Sequence, residues 1–253
     1  MFEWFKTFVV RPPSYPPAPE GTVLYALGDI HGRSDCLAHA HTVIDRDVAK
    51  RGVGDRAVEV YVGDYVDRGP DAKGVIDRLI SRSASANTIM LRGNHEIIME
   101  SFLRGLTSFE DWRTVGGLET VLSYGVDVRS LLASGRSVRP RDLAERLPSS
   151  HIQFLSGLRY IYQAGRYCFV HAGIRPSVPI DKQSAADMSW IRDDFLQFTG
   201  DFGFIIVHGH TPVSAPEFLP NRMNIDTGAY ATNRLSVIRI DAEGVSILEN
   251  ARA

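Results

Sequence analysis

The sequence predicts an α/β fold in which two mixed β-sheets form a sandwich with helices on the outside. Three observations carry that expectation. Apolar runs of strand length alternate with helix-length segments through the first hundred residues. Each of those runs ends in a glycine followed by Asp or closely by Asn. The last hundred residues return to short strands joined by hairpin turns.

Taken in order, Thr22-Val-Leu-Tyr-Ala-Leu27 reads as a buried strand that enters a loop at Gly28-Asp29. Ser34 is a reasonable N-cap for a helix running to about Arg51. Ala57 to Val62 is the second strand and ends in Gly63-Asp64, and a helix from about Asp71 to Ser83 follows. Asn87 to Leu91 is the third strand, leading to Arg92-Gly93-Asn94-His95 and the start of another helix. Strand, helix and strand recurring at intervals of about 30 residues indicate right-handed βαβ units and a parallel sheet. Asp29, Asp64 and Asn94 then fall just past strand C-terminal ends, where open α/β sheets place their ligands.

Residues 105 to 157 read as helical and loop-rich, with Trp112-Arg-Thr-Val-Gly-Gly117 as a local feature. That segment either packs the helical middle, the favoured reading, or helps form a nucleoside-binding surface. Tyr160 to Ala164 and Tyr167 to His171 flank Gly165-Arg166 as a hairpin. Ile205 to Val207, Met223 to Ile225, Leu235 to Ile240 and Val245 to Leu248 read as further strands.

The 253 residues fit one catalytic domain, 21–253, preceded by an extension, 1–20. Met1 to Val10 is too short and too charged to span a bilayer and lacks the pattern of a secretory signal. It reads as a short amphipathic helix resting on the protein body, with a membrane or partner contact as the alternative. Arg11 to Pro19 reads as an extended, proline-rich spacer, with a ligand for a proline-binding partner as the lesser alternative. Lys plus Arg number 28 against 30 for Asp plus Glu, a net charge of −2, so no nucleic-acid partner is expected. Cys36 and Cys168 are far apart and read as buried thiols of a reducing cytoplasm rather than a disulfide.

Five segments carry chemistry: Gly28-Asp-Ile-His-Gly32, Gly63-Asp-Tyr-Val-Asp-Arg-Gly69, Gly93-Asn-His-Glu96, Val170-His-Ala-Gly173 and Val207-His-Gly-His-Thr-Pro212. An Asp after a strand is usually a turn residue and a lone His usually a packed side chain. The joint occurrence at strand ends is what those readings do not explain. Carboxylate, amide and imidazole donors suit divalent ions such as manganese foremost, with iron or zinc also fitting. Two ions about 3.5–4 Å apart can bind a phosphate and hold a bridging water between them. Asp29 and His31 suit one ion, Asn94, His171 and His210 the other, and Asp64 can bridge both. Arg68 offers a fork to phosphoryl oxygens. His95 is a candidate general acid, with Asp67 as the carboxylate that orients it.

These segments resemble the phosphoprotein phosphatase family of the calcineurin-like metallophosphoesterases, whose motifs are GDxHG, GDxVDRG, GNHE and a downstream HAG or HGG. The first three are matched completely, and the GHTP segment Gly209 to Pro212 is similar to bacterial and lambda-type members. The resemblance covers roughly Thr22 to Leu248. It implies the same ligands, Asp29, His31, Asp64, Asn94, His171 and His210, the Asp67–His95 acid pair and Arg68 on phosphate. It further implies a second phosphate-binding arginine, for which Arg192 in Trp190-Ile-Arg192 is the candidate. It also suggests that Asp226 supports a metal-bound histidine from outside, while His208 is either such a support or a strand-end residue.

The implied activity is hydrolysis of a phosphomonoester by direct attack of a hydroxide bridging two divalent metals, with a serine/threonine-type protein phosphatase as the first expectation. A symmetrical bis(5′-nucleosyl)-tetraphosphate hydrolase is the alternative, and a non-catalytic phosphoprotein-binding regulator the third. The partner is a phosphorylated protein or a small phosphoester.

Overall fold

In the computed structural model, residues 14–252 are described, with side chains to residue 248. The readings of Met1 to Val10 and of the start of the proline spacer lie outside the described residues.

The first half alternates as expected: β1 (Val23–Leu27), α1 (Ser34–Arg51), β2 (Ala57–Tyr61), α2 (Ala72–Ser83), β3 (Thr88–Met90) and α3 (Asn94–Leu103). Helices α4 (Phe109–Arg113), α5 (Gly117–Ser123), α6 (Val128–Ala133), α7 (Pro140–Ala144) and α8 (Ser149–Ser156) fill the middle. The hairpin of β4 (Ile161–Ala164) and β5 (Tyr167–Val170) leads to α9 (Ala185–Trp190) and α10 (Asp193–Leu196). Then follow β6 (Ile205–His208), β7 (Glu217–Leu219), β8 (Arg222–Asn224), α11 (Ala229–Thr232), β9 (Arg234–Asp241) and β10 (Gly244–Arg252).

Two five-stranded sheets result, ordered β10-β9-β1-β2-β3 and β4-β5-β6-β8-β7. β1, β2 and β3 are parallel, as are β5, β6 and β8, while β9 pairs antiparallel with β1 and β10, and β4 and β7 pair antiparallel with β5 and β8, so both sheets are mixed. Strand periodicity explains how the layers separate. From β1, Leu24 and Ala26 pack with Val60, Phe169, Val207 and Met223 between the sheets. Val23, Tyr25 and Leu27 point the other way, onto Leu37, Ala40 and Ile44 of α1. The second sheet repeats this pattern, with Cys168 and Val170 packing outward on Met188, Ile191 and Phe195. Burying such a side chain fully is worth about 1.5–3 kcal/mol, so each strand is fixed from both faces.

Ser34 does not cap α1. Arg33 takes that place without a side-chain bond, and Ser34 Oγ donates to Asp71 Oδ2 at 2.5 Å. Asp71 is itself the N-cap of α2, accepting from the Gly74 amide at 2.9 Å. A carboxylate is the stronger acceptor, so the serine ties two strand-end loops together instead. The described part of the proline spacer lies against the body. Tyr15 donates to Leu219 O, Tyr167 to Pro16 O, and the Ala18 amide to Asp241 O. Both cysteines are buried free thiols. Among the described residues no helix is long and apolar enough to cross a membrane.

Candidate active site

In the first sheet the registers Leu27↔Tyr61 and Tyr61↔Met90 bring the C-terminal ends of β1, β2 and β3 level. In the second sheet, Phe169↔Val207 and His208↔Asn224 do the same for β5, β6 and β8. The Gly209 amide donates to His171 O at 2.8 Å and closes the two loops on each other. Asp29, Asp64 and Asn94 thus meet His171 and His210 across the seam between the sheets.

Asp64 is the centre. Its Oδ2 lies 3.4 Å from His31 Nε2 and 3.9 Å from His95 Nε2, and its Oδ1 lies 3.4 Å from His171 Nε2. Two groups with closely spaced donor atoms share it: His31, Asp64 and His95, and Asp64, His171 and His210. Asn94 Oδ1 sits 2.9 Å from both His171 Nε2 and His210 Nδ1. The other ring nitrogens are held by backbone: His31 Nδ1 on Val66 O at 2.9 Å and His171 Nδ1 on Val62 O at 3.0 Å. Those bonds place the hydrogen on Nδ1 and turn an Nε2 lone pair toward Asp64.

Asp29, Asp64 and Asp226 are all nearly inaccessible and close enough to act on one another. Burial and the neighbouring Asp226 and Asp64 raise Asp29 well above the usual carboxylate range. Burial likewise pushes Asp226 up to about 6. Burial opposes ionisation of Asp64 too, but the surrounding His171, His95, His31 and His210 outweigh it and hold its pKa low. Burial pulls the pKa values of His31 and His210 down to about 3, which leaves these rings as neutral donors. Asp29 Oδ1 and His210 Nε2 are buried with no hydrogen-bond partner. Crowded carboxylates beside neutral imidazoles fit divalent cations, and Asp29, His31, Asp64, Asn94, His171 and His210 are the residues present to hold them.

His95 and Asp67 pair as expected, with Nδ1 2.7 Å from Asp67 Oδ2. Burial works against the charged ring, but the Asp64 and Asp67 carboxylates prevail and raise its pKa. Arg68 Nη2 lies 3.2 Å from His95 Nε2, and its guanidinium rests 4.8 Å from the Tyr230 ring centroid. Arg192 is exposed and donates to Thr211 Oγ1 at 3.1 Å, beside His210.

One expectation changes, and one open reading resolves to a strand-end residue. Asp226 touches no metal-group histidine; its Oδ1 accepts the Gly228 amide at 2.8 Å and its carboxyl lies against Asp29. The turn after β8 carries it toward the first sheet, past the histidines. His208 lies outside the cluster, with its ring 4.9 Å from Phe195 and its Nδ1 on Gly209 O.

Three supporting residues were not found by spacing. Glu96 is fully buried and accepts four amides, those of Asp64, Tyr65, Val66 and Gly93, at 2.7–3.2 Å. Burial and Asp64 push it up to about 7. Thr120 donates to Asp67 Oδ1 at 2.7 Å, and Trp112 Nε1 donates to Asp67 Oδ2 at 2.9 Å. Trp112 does pack the helical middle, stacking on Phe102 at 4.9 Å, and this bond is a second duty. The last Glu of Gly93-Asn-His-Glu96 was the one available signal.

Of the seven non-glycine residues at positive φ among those described, five are His31, Asp64, Asp67, Arg68 and His210. Such backbone costs on the order of 1–3 kcal/mol per residue and persists only where the surroundings enforce it. Its concentration here marks the strand-end loops as built for side-chain placement.

Comparison with known proteins agrees with this geometry. The calcineurin-like phosphoesterase family matches residues 22–241. A bis(5′-nucleosyl)-tetraphosphatase PrpE [asymmetrical] of Anoxybacillus flavithermus is 28% identical over 244 residues, covering 87% of this chain and 92% of its own. A crystal structure provisionally described as a diadenosine tetraphosphatase superposes with TM-score 0.60 at 18% identity, covering 94% of this chain and all of its own. A serine/threonine phosphatase of Saccharomyces cerevisiae superposes with TM-score 0.51 at 17% identity, over 92% of this chain and 80% of its own, and shows the fold alone. The chain therefore belongs to the calcineurin-like phosphoesterase family, and its chemistry is metal-dependent hydrolysis of a phosphoester.

Proposed function

We propose that this chain splits a dinucleoside tetraphosphate unevenly, into a nucleoside mono- and a nucleoside triphosphate. Phosphoprotein stood first from sequence and the dinucleotide second. The observation that reverses the order is the relative from Anoxybacillus flavithermus, similar over 87% of this chain and named for that substrate and that asymmetry.

The roles follow from the site. Asp29, His31 and Asp64 would hold one divalent ion, and Asp64, Asn94, His171 and His210 the other. When bound, such ions supply positive charge for phosphoryl oxygens and lower the pKa of a water to about 7. Arg68 lies against His95 and Arg192 against Thr211, the residue after His210, and the two carry the remaining phosphate charge. His95 is held by Asp67 at Nδ1 and presents Nε2 to the centre, so it protonates the departing phosphate oxygen. Glu96, Thr120 and Trp112 keep those groups in place.

The test offers manganese-loaded protein diadenosine tetraphosphate and phosphoserine or phosphothreonine peptides in parallel, with nucleotides resolved by chromatography. AMP and ATP in equal amounts support the proposal. Two equivalents of ADP would show the symmetrical alternative, and a strong preference for phosphopeptide would return the protein-phosphatase reading.

A further inference from the structure

Among the described residues, two aromatic side chains stand among the exposed large hydrophobics, Trp190 at 45% and Tyr230 at 38%, and both flank the candidate ligand residues. They differ in what already engages them. Tyr230 meets the His31 ring edge-on at 5.5 Å and carries the Arg68 guanidinium at 4.8 Å from its centroid. Its surface is committed to holding Arg68. Trp190 has one aromatic partner among the described residues, His210, at 6.4 Å and 80°.

The exposure of Trp190 does not come from a loose segment. Ser184 caps α9 by accepting the Asp187 amide at 2.9 Å, and the Ala172 amide donates to Met188 O at 2.8 Å, tying the helix to the loop of His171. Met188 and Ile191 are buried with Phe195. After Trp190 the chain is extended at Ile191 (φ −59°, ψ 142°), so neighbouring side chains diverge. Ile191 goes inward, while Trp190 and Arg192 both go to the solvent side. Arg192 is fixed on Thr211, the residue after His210. One rigid turn thus offers an indole and a guanidinium together, next to a metal-group histidine.

We propose that Trp190 is the stacking platform for a nucleobase, with Arg192 contacting the phosphate attached to that same nucleoside. This inference rests on the dinucleotide reading. An indole beside a guanidinium suits a ligand that joins a flat aromatic ring to an anion, as a nucleotide does. Six bonds of about 1.5 Å separate a nucleoside's 5′-phosphorus from its glycosidic nitrogen, which brings the base within reach of a platform this close to the cluster.

The placement also selects the bond that breaks. With the base on Trp190, the α-phosphorus lies at the centre. Water's oxygen bonds to that phosphorus as the water releases a proton to solvent, and the bond to the oxygen shared with the β-phosphate breaks. That oxygen leaves on the nucleoside triphosphate with a proton from His95, giving AMP and ATP.

The experiment uses W190A and W190F in the manganese-loaded full chain, with diadenosine tetraphosphate, inorganic tripolyphosphate and a phosphoserine peptide as substrates. Removing a stacking aromatic raises KM for diadenosine tetraphosphate by about 5- to 100-fold in W190A. That increase is at least about threefold larger than any change with tripolyphosphate, and W190F, which keeps a ring, stays within about threefold of the parent. Titration with AMP quenches the intrinsic fluorescence of the parent, and the quench disappears in W190F. Equal effects of W190A on diadenosine tetraphosphate and tripolyphosphate, or a quench that persists in W190F, overturn the platform. So does a KM increase seen with the phosphopeptide and absent with the dinucleotide. If the parent fails to cleave diadenosine tetraphosphate, the dinucleotide reading falls by itself, and the AMP titration still decides the role of Trp190.

Discussion

Trp112 and His95 share one carboxylate oxygen: Asp67 Oδ2 accepts the indole N–H at 2.9 Å and faces His95 Nδ1 at 2.7 Å. Asp67 Oδ1 is taken by Thr120 and its amide donates back to Thr120 Oγ1, so the carboxylate cannot rotate without breaking several bonds. His95 is therefore positioned by a framework that reaches well beyond the motif carrying it.

His95→Asn keeps an N–H that can bond Asp67 but loses the ring, its Nε2 and the transferable proton. It is expected to lower kcat by about 10²–10⁴-fold with bound metal unchanged, checked by steady-state kinetics beside metal analysis. A kcat within a factor of two of the parent would remove His95 from the acid role.

Trp112→Phe deletes one donor to Asp67 while keeping an aromatic ring in the core. The expected result is a drop in kcat of about tenfold, since a hydrogen bond to a charged group is worth about 1.5–3 kcal/mol. KM should move little. A Tm loss with kcat unaltered would show that Trp112 only packs.

Asp64 is shared by both donor groups, so Asp64→Asn should weaken both sites at once. Manganese per chain, measured after gel filtration, is expected to fall from about two to less than one, with activity lost alongside. Retention of two tightly held ions would show that Asp64 is not the shared ligand.

A Cβ on Gly209 would collide with Asp29 Oδ1 although the backbone there is not left-handed. Gly209→Ala is therefore expected to displace Asp29 rather than to strain its own residue. Manganese affinity should fall by about tenfold or more, with a stability loss of about 1–3 kcal/mol from overpacking, read by metal titration and urea unfolding. Parent-like affinity would place Asp29 outside the metal set.

His41 Nε2 lies 2.9 Å from the Tyr61 hydroxyl, whose proton goes to Glu59 Oε2 at 2.5 Å. Burial, with Arg82 adding to it, pulls the His41 pKa down to about 4. An unfolded chain takes up that proton below about pH 6.5 while the native one refuses it. The stabilisation is thus complete above pH 6.5 and is lost as pH falls toward 4, by roughly 2 kcal/mol after allowing for partial solvent access. His41→Gln should flatten this dependence in urea melts at pH 7 and 4.5. An unaltered slope would assign it to other groups.

The sequence disclosed the parts of the fold whose cause is local. Apolar runs ending in Gly-Asp announced β1 and β2, and those same steps located Asp29 and Asp64 at the sheet edge. Asn94, His171 and His210 were legible because each follows a strand at short range. Thr120 was not, since its bond to Asp67 spans 53 residues and no period or cap records it. Trp112 was read as packing, which is half of its role, because an indole N–H partner is invisible until the fold closes. β7 and α10 were missed for brevity, at three and four residues. Asp226 was placed near the right centre but against the wrong neighbour. A motif shows that a residue belongs to a site, whereas the path of the turn after β8 decides whether it meets a histidine or Asp29.

The seam between the two sheets has a consequence for how the protein matures. With the ligands assigned as proposed, Asn94 must meet His171 across 77 residues and His210 across 116. The ion assigned to Asp64, Asn94, His171 and His210 lacks its full set of donors until His210 has emerged from the ribosome and docked, so its capture is a late event in biogenesis. Fragments ending before His210 are left without a complete second site and are expected to lack phosphoester hydrolysis. On that assignment a nascent chain completes its site only once both halves have assembled, and uptake of the second ion marks that point.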